Sequence, residues 1–257
     1  TNGYASRSTS NYINNLVELT ADWHKMIGKH NLGAIIGYNY EDQMSESFSA
    51  SNSDFPTDSY TYNKLQAGNA LVKGNASMSS YKETEKLIGL FARATWNYDD
   101  RYLVMFSLRR EGSSKFGKDH KWGNFPSASA SWNIHNEEFM ANTKHWLSNF
   151  KLRLGWGKTG QQEFGENYAA VQYAIISQDP TTQYPLGPNV GDFYFPVRPQ
   201  AYNESLKWEE TTTYNAGLDF GFINGRINGS VDAYYRKTND LISYVNIPLG
   251  ANFSNYV

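Results

Sequence analysis

Residues 102–134 read YLVMFSLRREGSSKFGKDHKWGNFPSASASWNI: an alternating stretch, a basic, glycine-rich aromatic loop, and a second alternating stretch. In the first stretch Tyr102, Val104, Phe106 and Leu108 alternate with Leu103, Met105, Ser107 and Arg109. On the return, Ala128, Ala130, Trp132 and Ile134 alternate with Ser127, Ser129, Ser131 and Asn133. A period of two with one apolar and one polar face predicts β-strands between two different media. A face with serines and an arginine, opposite a face with tryptophan, is typical of a wall with water inside and lipid outside. A soluble β-sandwich also shows this alternation.

The composition narrows the class of protein. The chain has 257 residues, a net charge of -2 and a sequence pI near 6.2, with no basic stripe of the kind that binds nucleic acid. It has no cysteine, which excludes a disulfide scaffold, thiol catalysis and cysteine-ligated zinc. Aromatic residues make up 16%, and Tyr and Trp are typical of membrane interfaces. The mean hydropathy is -0.62, and no apolar run approaches the ~20 residues of a membrane helix.

Similar alternation predicts further strands along the chain. They cover residues 16–23, 32–40, 88–98, 151–156, 211–222 and 227–236. Asp99-Asp100 predicts a tight turn, and Asn224-Gly225 is the dipeptide that favours a type I′ hairpin turn. Residues 135–149 are expected to form one or two helical turns.

The connections between these strands alternate in length. Those at 24–31, 99–101, 135–149 and 223–226 are short or compact, and those at 41–86, 110–124 and 158–210 are long. Because the chain reverses at each connection, all short ones fall at one end and all long ones at the other. This layout is typical of an outer-membrane barrel, which has short periplasmic turns and long extracellular loops.

Three longer motifs add a resemblance. They are SLRREGSSKFGKDHKWGNFPSASASWNI at 107–134, LRLGWGKTGQQ followed by ENYAA within 152–170, and LKWEETTTYNAGLDFGFINGRINGSVDAYYRKTNDLI at 206–242. In order and spacing they resemble the barrel of the SusC/RagA family of TonB-dependent outer-membrane transporters.

The resemblance implies a 22-stranded barrel closed by an N-terminal plug. Residues 1–257 are expected to form part of the C-terminal barrel domain, with about eight strands, while the plug and signal peptide are absent. It also implies a SusD-like lipoprotein over the extracellular mouth, energy from TonB, location in the cell outer membrane, and a glycan or peptide as substrate. On this interpretation the protein imports nutrients and is not an enzyme.

Two sets of candidate site residues follow. Charged residues on the polar faces of the strands are predicted to face the lumen, where they contact substrate or plug or simply pair across the wall: Arg93, Arg109, Arg153, Asp219, Asp232 and Arg236. Aromatic residues in the long loops are predicted to contact substrate or lipoprotein, or to pack the loops together: Tyr60, Tyr62, Trp122, Tyr184, Phe193, Tyr194 and Phe195.

No motif predicts a catalytic, cofactor or metal site. Gly155, Gly157 and Gly160 match a dinucleotide fingerprint, but no helix is predicted to begin there, and a strand-to-loop transition is favoured. The five histidines lack metal-ligand spacing, and Glu137-Glu138 more plausibly begins a short helix than forms a carboxylate pair. A soluble carbohydrate-binding β-sandwich and an outer-membrane barrel of another class remain as alternatives.

Overall fold

The structure is a computed structural model that describes residues 3–164, 203 and 205–243. It also describes the backbone of four short strands between them, at 173–175, 184–185, 193–194 and 197–199. The remaining residues, which include Phe195, lie outside the described part of the chain.

Eight of the described strands form one sheet, and their order in the sheet follows their order in the chain. Their bounds are Tyr4–Ile27 (β1), His30–Ser53 (β2), Ser77–Tyr98 (β3), Tyr102–Ser113 (β4), Trp122–Asn133 (β5), Leu147–Gln161 (β6), Glu209–Phe222 (β11) and Ile227–Asn239 (β12). The short strands Tyr173–Ile175 (β7), Tyr184–Pro185 (β8), Phe193–Tyr194 (β9) and Val197–Pro199 (β10) form two separate two-stranded sheets. The predicted all-β, antiparallel fragment of about eight strands is confirmed.

Several strands are longer than the sequence predicts. The predicted loop at 41–86 is wrong, because β2 continues to Ser53 and β3 begins at Ser77, so the connection covers only 54–76. Polar residues occupy both faces of those extensions, as in ESFSASNS at 46–53, and a strand that is polar on both faces has no hydrophobic period. For the same reason the loops at 110–124 and 158–210 shorten to 114–121 and 162–208.

The tight turns form where the sequence predicts them. Asp99 and Asp100 have φ of 51° and 52°, and the Arg101 N–H donates to the Tyr98 carbonyl at 2.8 Å. Asn224 and Gly225 have φ of 51° and 78°, and the Arg226 N–H donates to the Ile223 carbonyl at 3.2 Å. Positive φ at both central residues, closed by this hydrogen bond, is the geometry expected of a type I′ turn.

The strand register aligns the predicted faces across the sheet. One row on the apolar face runs Phe106, Ala128, Trp156, Tyr214, Tyr235, and the next runs Val104, Ala130, Leu154, Ala216, Ala233. On the opposite, polar face a row runs Leu103, Ser131, Arg153, Gly217, Asp232. Many side chains of the apolar face are exposed, among them Phe106 at 59% and Tyr235 at 63%. An exposed apolar band of this width marks a surface that contacts a membrane or another protein.

The chain divides into two compact units. One combines Thr1–Val17 with Tyr40–Leu87, and the other combines Glu18–Asn39 with Ile88–Val257. Within the first unit, the buried Asn52 amide donates to the carbonyl oxygens of Leu65 and Gly68 at 2.7 and 2.8 Å. A Cβ on Gly68 would lie 2.5 Å from the Ser53 carbonyl oxygen, so only glycine allows this approach. Asn52 therefore organises the connection at 54–76 from inside.

The helices of the described residues are short 3-10 helices, at Asp58–Tyr60, Leu65–Ala67, Ile134–Asn136 and Glu138–Thr143. None of the described helices has both the length and the apolar character needed to cross a bilayer. The expected helical turns in 135–149 are present, although Ile134 leaves the predicted return strand and begins the first of them.

Candidate functional site: the polar face and the edges of the sheet

Three of the predicted lumen residues come together on the polar face. Arg153 lies on β6, Asp219 on β11 and Asp232 on β12. The Arg153 guanidinium donates to both carboxylate oxygens of Asp219 at 2.8 Å and to Asp232 at 3.1 Å. A Cβ on Gly217, between them, would lie 2.8 Å from the guanidinium carbon, so this glycine leaves room for the bridge. The cluster links three neighbouring strands by charge-assisted hydrogen bonds on one face of the sheet.

The other predicted lumen residues are more separate. Arg109 donates to Glu111 at 2.6 Å and to Asn39 at 3.3 Å, and its guanidinium lies 5.9 Å from the centre of the Phe91 ring. Arg236 lies against the Tyr234 ring, and Arg93 is exposed on β3. Within the described residues, the structure therefore joins only Arg153, Asp219 and Asp232 into one cluster.

The predicted contact aromatics fall in different places. Tyr60 and Tyr62 lie in the connection at 54–76, and Tyr62 is 58% exposed. Lys64 lies over the Tyr60 ring at 4.6 Å. Trp122 is the first residue of β5 rather than part of a loop, and Arg110 lies over its ring at 5.2 Å. Tyr184, Phe193 and Tyr194 lie in strands of which only the backbone is described, and Phe195 lies outside the described residues.

The short connections of the second unit form a turn edge, at 28–29, 99–101, 134–146 and 223–226. Its centre is the buried Glu137 carboxylate, which accepts from the Tyr102 hydroxyl at 2.6 Å, the Trp132 indole at 2.9 Å and Arg101 at 3.3 Å. The Tyr102 hydrogen bond, aided by Trp132, holds the pKa of Glu137 below its usual range. Glu137 occupies the N-cap position of a 3-10 helix without a side-chain capping bond, and it does not form a carboxylate pair with the exposed Glu138.

Further contacts join the turns to one another. Lys29 and Asp99 form an ion pair at 2.7 Å, and the hydrogen bond from Lys29 lowers the pKa of Asp99. Trp146 stacks on Phe222, and the Ile223 N–H donates to the Trp146 carbonyl at 2.9 Å. The contacts confirm that the predicted short connections share one edge of the sheet. An aromatic row borders this edge, with consecutive ring centres 4.8 to 6.4 Å apart: His30, Tyr98, Tyr102 and Trp132.

The described parts of the longer connections in this unit, 114–121 and 162–208, form a loop edge with a small apolar core. Trp208 is 5% exposed, and its ring lies 4.8 Å from Phe116 and 5.3 Å from Phe125, centre to centre. Its indole N–H donates to the Lys121 carbonyl at 3.0 Å. The sequence analysis missed Phe116 and Trp208, although both stand inside the motifs that carry the resemblance.

The glycine motif does not form a phosphate site. Gly155, Gly157 and Gly160 all lie inside β6, which pairs with β11 throughout, so the predicted strand-to-loop transition comes only after Gln161. Among the described residues, no helix presents its N-terminus to this motif, as a dinucleotide site requires. Within the described residues, no group of three or more His, Asp or Glu side chains could hold a metal ion.

A family model described as "TonB dependent receptor-like, beta-barrel" matches residues 1–256. This chain belongs to that family. Its members are outer-membrane receptors and transporters rather than enzymes, and the resemblance to the SusC/RagA type is confirmed by the relatives that follow.

The TonB-dependent receptor SusC of Bacteroides thetaiotaomicron is 47% identical over 176 residues, which are 68% of this chain and 17% of SusC. The TonB-dependent receptor P3 of Formosa agariphila is 29% identical over 93% of this chain and 23% of its own length. Among solved structures, the RagAB peptide transporter matches with a TM-score of 0.81 and 25% identity, over 98% of this chain and 26% of that chain. The chain thus spans 17% and 23% of the length of these two curated relatives.

Proposed function

We propose that this chain forms part of the barrel wall and extracellular loops of an outer-membrane importer. One observation carries the proposal: β4, β5, β6, β11 and β12 align an apolar face on one side of the sheet and a polar face with an ion-paired cluster on the other. A wall between lipid and a water-filled lumen requires these two faces. The loops sorted to one edge support the same function, because extracellular loops of such barrels are long and periplasmic turns are short.

In this function Arg93, Arg109, Arg153, Asp219, Asp232 and Arg236 line the lumen. The Arg153 cluster holds β6, β11 and β12 together where lipid cannot reach. Uptake is energised through TonB, and a SusD-like lipoprotein covers the extracellular mouth. The substrate is a large glycan or peptide, in keeping with the RagAB peptide transporter among the similar structures.

Tyr60 and Tyr62 are proposed to contact the substrate or the lipoprotein. Both rings are accessible, and Tyr62 lies beside a groove that Tyr4 and Phe55 also line. A tyrosine ring has an apolar face that stacks on a sugar ring and a hydroxyl that hydrogen-bonds, and little conformational entropy is lost when it binds. The same proposal extends to Trp122, Tyr184, Phe193, Tyr194 and Phe195 from the sequence alone.

Two neighbouring residues of β5 test the wall directly. This chain has no cysteine, so Ser129→Cys on the polar face and Ala130→Cys on the apolar face are a matched pair. We expect a charged thiol reagent to label the Ser129 variant in outer membranes and to leave the Ala130 variant unlabelled. A fluorophore on the Ala130 variant should instead be quenched by a lipid-soluble quencher. An Ala130 variant that stays unlabelled but is not quenched by the lipid-soluble quencher would favour a soluble β-sandwich, whose apolar face packs inside the protein.

Uptake tests the transport activity of the whole protein. Cells that produce it are given fluorescent oligosaccharides and peptides, with and without a functional TonB. We expect accumulation of one substrate class to require TonB, and Tyr62→Ala to raise the half-saturating concentration. Tyr235→Ala, which removes a tyrosine of similar exposure from the apolar face, serves as the control. Accumulation that persists without TonB would contradict the proposal.

A further inference from the structure

The apolar face contains two grooves that differ in charge. The first is lined by Val104, Phe106, Ala130, Leu154 and Tyr214, and none of the described residues around it is charged. The second, here called the Arg110 groove, has a volume of about 600 Å³ and runs across β1 to β4. Its lining includes Leu19, Ile36, Leu90, Ala92 and Leu108, with Arg110 at its rim. An apolar groove with a cation in its lining offers a lipid a surface for an acyl chain and a contact for a charged headgroup, which the uncharged groove does not.

The position of Arg110 in the strand fits a membrane boundary. Tyr102, in the aromatic row at the turn edge, and Arg110 lie on the same face of β4. The chain between them spans about 27 Å at ~3.4 Å per residue, or roughly 20 Å along the membrane normal for a strand tilted by ~40°. The apolar band of such barrels is about 25 Å tall, so the long Arg110 side chain reaches the opposite interface.

The guanidinium is held in place without a carboxylate. Arg110 lies over the Trp122 ring, and a Cβ on Gly112 would lie 2.9 Å from that indole, so glycine lets the ring lie against the strand. Among the described residues, no carboxylate accepts a hydrogen bond from Arg110. Arginine is the side chain best suited to bind phosphate, because its planar fork donates two parallel hydrogen bonds.

We propose that the Arg110 groove binds one phosphorylated lipid of the outer leaflet, of the lipid A type. An acyl chain lies in the groove against Leu19, Ile36 and Leu90, and a phosphate accepts hydrogen bonds from Arg110. The loop edge faces the extracellular side in the proposed function, and the outer leaflet there is the one that contains phosphorylated lipid A. The inference therefore rests on the proposed barrel wall.

Native mass spectrometry of the whole transporter, purified in detergent and incubated with diphosphorylated lipid A, tests the site. We expect one lipid A to be retained by the wild-type protein and Arg110→Gln to weaken its retention by roughly tenfold or more, as for loss of a charge-assisted hydrogen bond. Ala92→Phe, which fills the groove and keeps Arg110, should also release the lipid. Lipid A without phosphates should be retained poorly by the wild-type protein. Its retention should match that of diphosphorylated lipid A by Arg110→Gln.

Two control variants match these changes. Arg226→Gln removes the same charge from an exposed position on the turn edge, and Ala216→Phe fills the uncharged groove. Both should retain lipid A like the wild type. Retention of lipid A by Arg110→Gln at the wild-type level would overturn the proposal. Displacement of lipid A by phosphatidylglycerol as readily as by lipid A itself would also overturn it. Either result would mean that the groove holds ordinary boundary lipid.

The same spectra distinguish the remaining outcomes. If a second copy of the protein covers the groove, Ala92→Phe will change the mass of the assembly instead of the bound lipid, and the proposal is wrong. If no lipid of any kind is retained and Ala130→Cys is labelled by the charged reagent, the barrel wall itself is refuted. If lipids are retained without selectivity and Ala130→Cys stays unlabelled, the lipid A site is refuted and the barrel wall is not.

Discussion

The turn edge and the loop edge of the second unit are held together by different interactions. At the turn edge, a carboxylate, Glu137, collects hydrogen bonds from Tyr102, Trp132 and Arg101. At the loop edge, Trp208 and its aromatic neighbours bury their rings against one another. Short turns leave few side chains to bury, so polar contacts fix them. Long connections contain enough apolar residues to build a core of their own in water.

The largest effect is expected at the loop edge. Trp208→Ala removes the central ring of the aromatic core and should cost about 3–5 kcal/mol of local stability, as for other buried aromatic truncations. Hydrogen exchange at 114–121 should accelerate, while exchange at the turn edge stays unchanged. Trp122→Ala, which removes a tryptophan that is 47% exposed, is the control. Faster exchange at both edges would mean that they are not independent.

The connection at 54–76 shows whether a polar centre can also organise a long loop. Asn52→Ala leaves the carbonyl groups of Leu65 and Gly68 without their donor and should cost about 1–3 kcal/mol. Limited proteolysis should then cut within 54–76 at a lower protease concentration. Asn63→Ala removes a side-chain amide that donates to Thr61 at an exposed position, and it should leave the cleavage pattern as it is. Resistance of the Asn52 variant would show that the loop holds itself by other contacts.

A smaller effect is expected at the hairpin turn. Gly225 has a φ of 78°, which costs an L-residue about 1 kcal/mol, so Gly225→Ala should lower the free energy of unfolding by about that amount. Gly155→Ala is the matched change inside β6, where the nearest atom to a new Cβ lies 3.8 Å away. Urea unfolding followed by tryptophan fluorescence compares the two, and an equal loss in both would argue against the role of the left-handed turn.

The smallest expected effect is a difference between the two edges in how their stability depends on pH. Hydrogen bonding lowers the pKa of Glu137 and Asp99 in the folded protein, so their stabilisation is present above the unfolded carboxylate values near 4 and is lost as the pH falls through the folded values. Exchange at 134–146, corrected for its intrinsic rate, should rise in acid more than exchange at 114–121. Glu137→Gln should reduce this difference, whereas Glu138→Gln, at a side chain 90% exposed, should not. An acid response that is the same at both edges would contradict this assignment.

The sequence predicted the parts of the fold that local chemistry controls. Asp99-Asp100 and Asn224-Gly225 predict their turns because left-handed backbone favours few residue types, and the faces of β4, β5, β6 and β11 follow from a period of two. The extensions of β2 and β3 were missed because both faces there are polar. The pairing of Arg153 with Asp219 and Asp232 depends on register across three strands, which alternation within one strand does not specify.

The aromatic core was missed for a related reason. Trp208 stands in a polar stretch, and nothing in its neighbours indicates that Phe116, on a distant connection, will meet it. Trp122 was predicted as a loop residue that contacts substrate or lipoprotein, because the glycine beside it is typical of loops. In the structure Gly112 and Gly123 lie inside strands, and a Cβ on them would lie 2.9 Å from the Trp122 ring and 2.4 Å from the Phe125 ring.

The order of the sheet has a consequence for how such proteins diversify. β6 and β11 are direct neighbours although residues 162–208 separate them, and each other strand of the sheet pairs with the one before it in the chain. Lengthening a closed loop costs little, only about 0.6 kcal/mol for each doubling of its length. Any long connection can therefore be exchanged for one of different length or composition while every strand pair keeps its partner. Local insertion changes the surface at the loop edge and leaves the sheet itself unaltered.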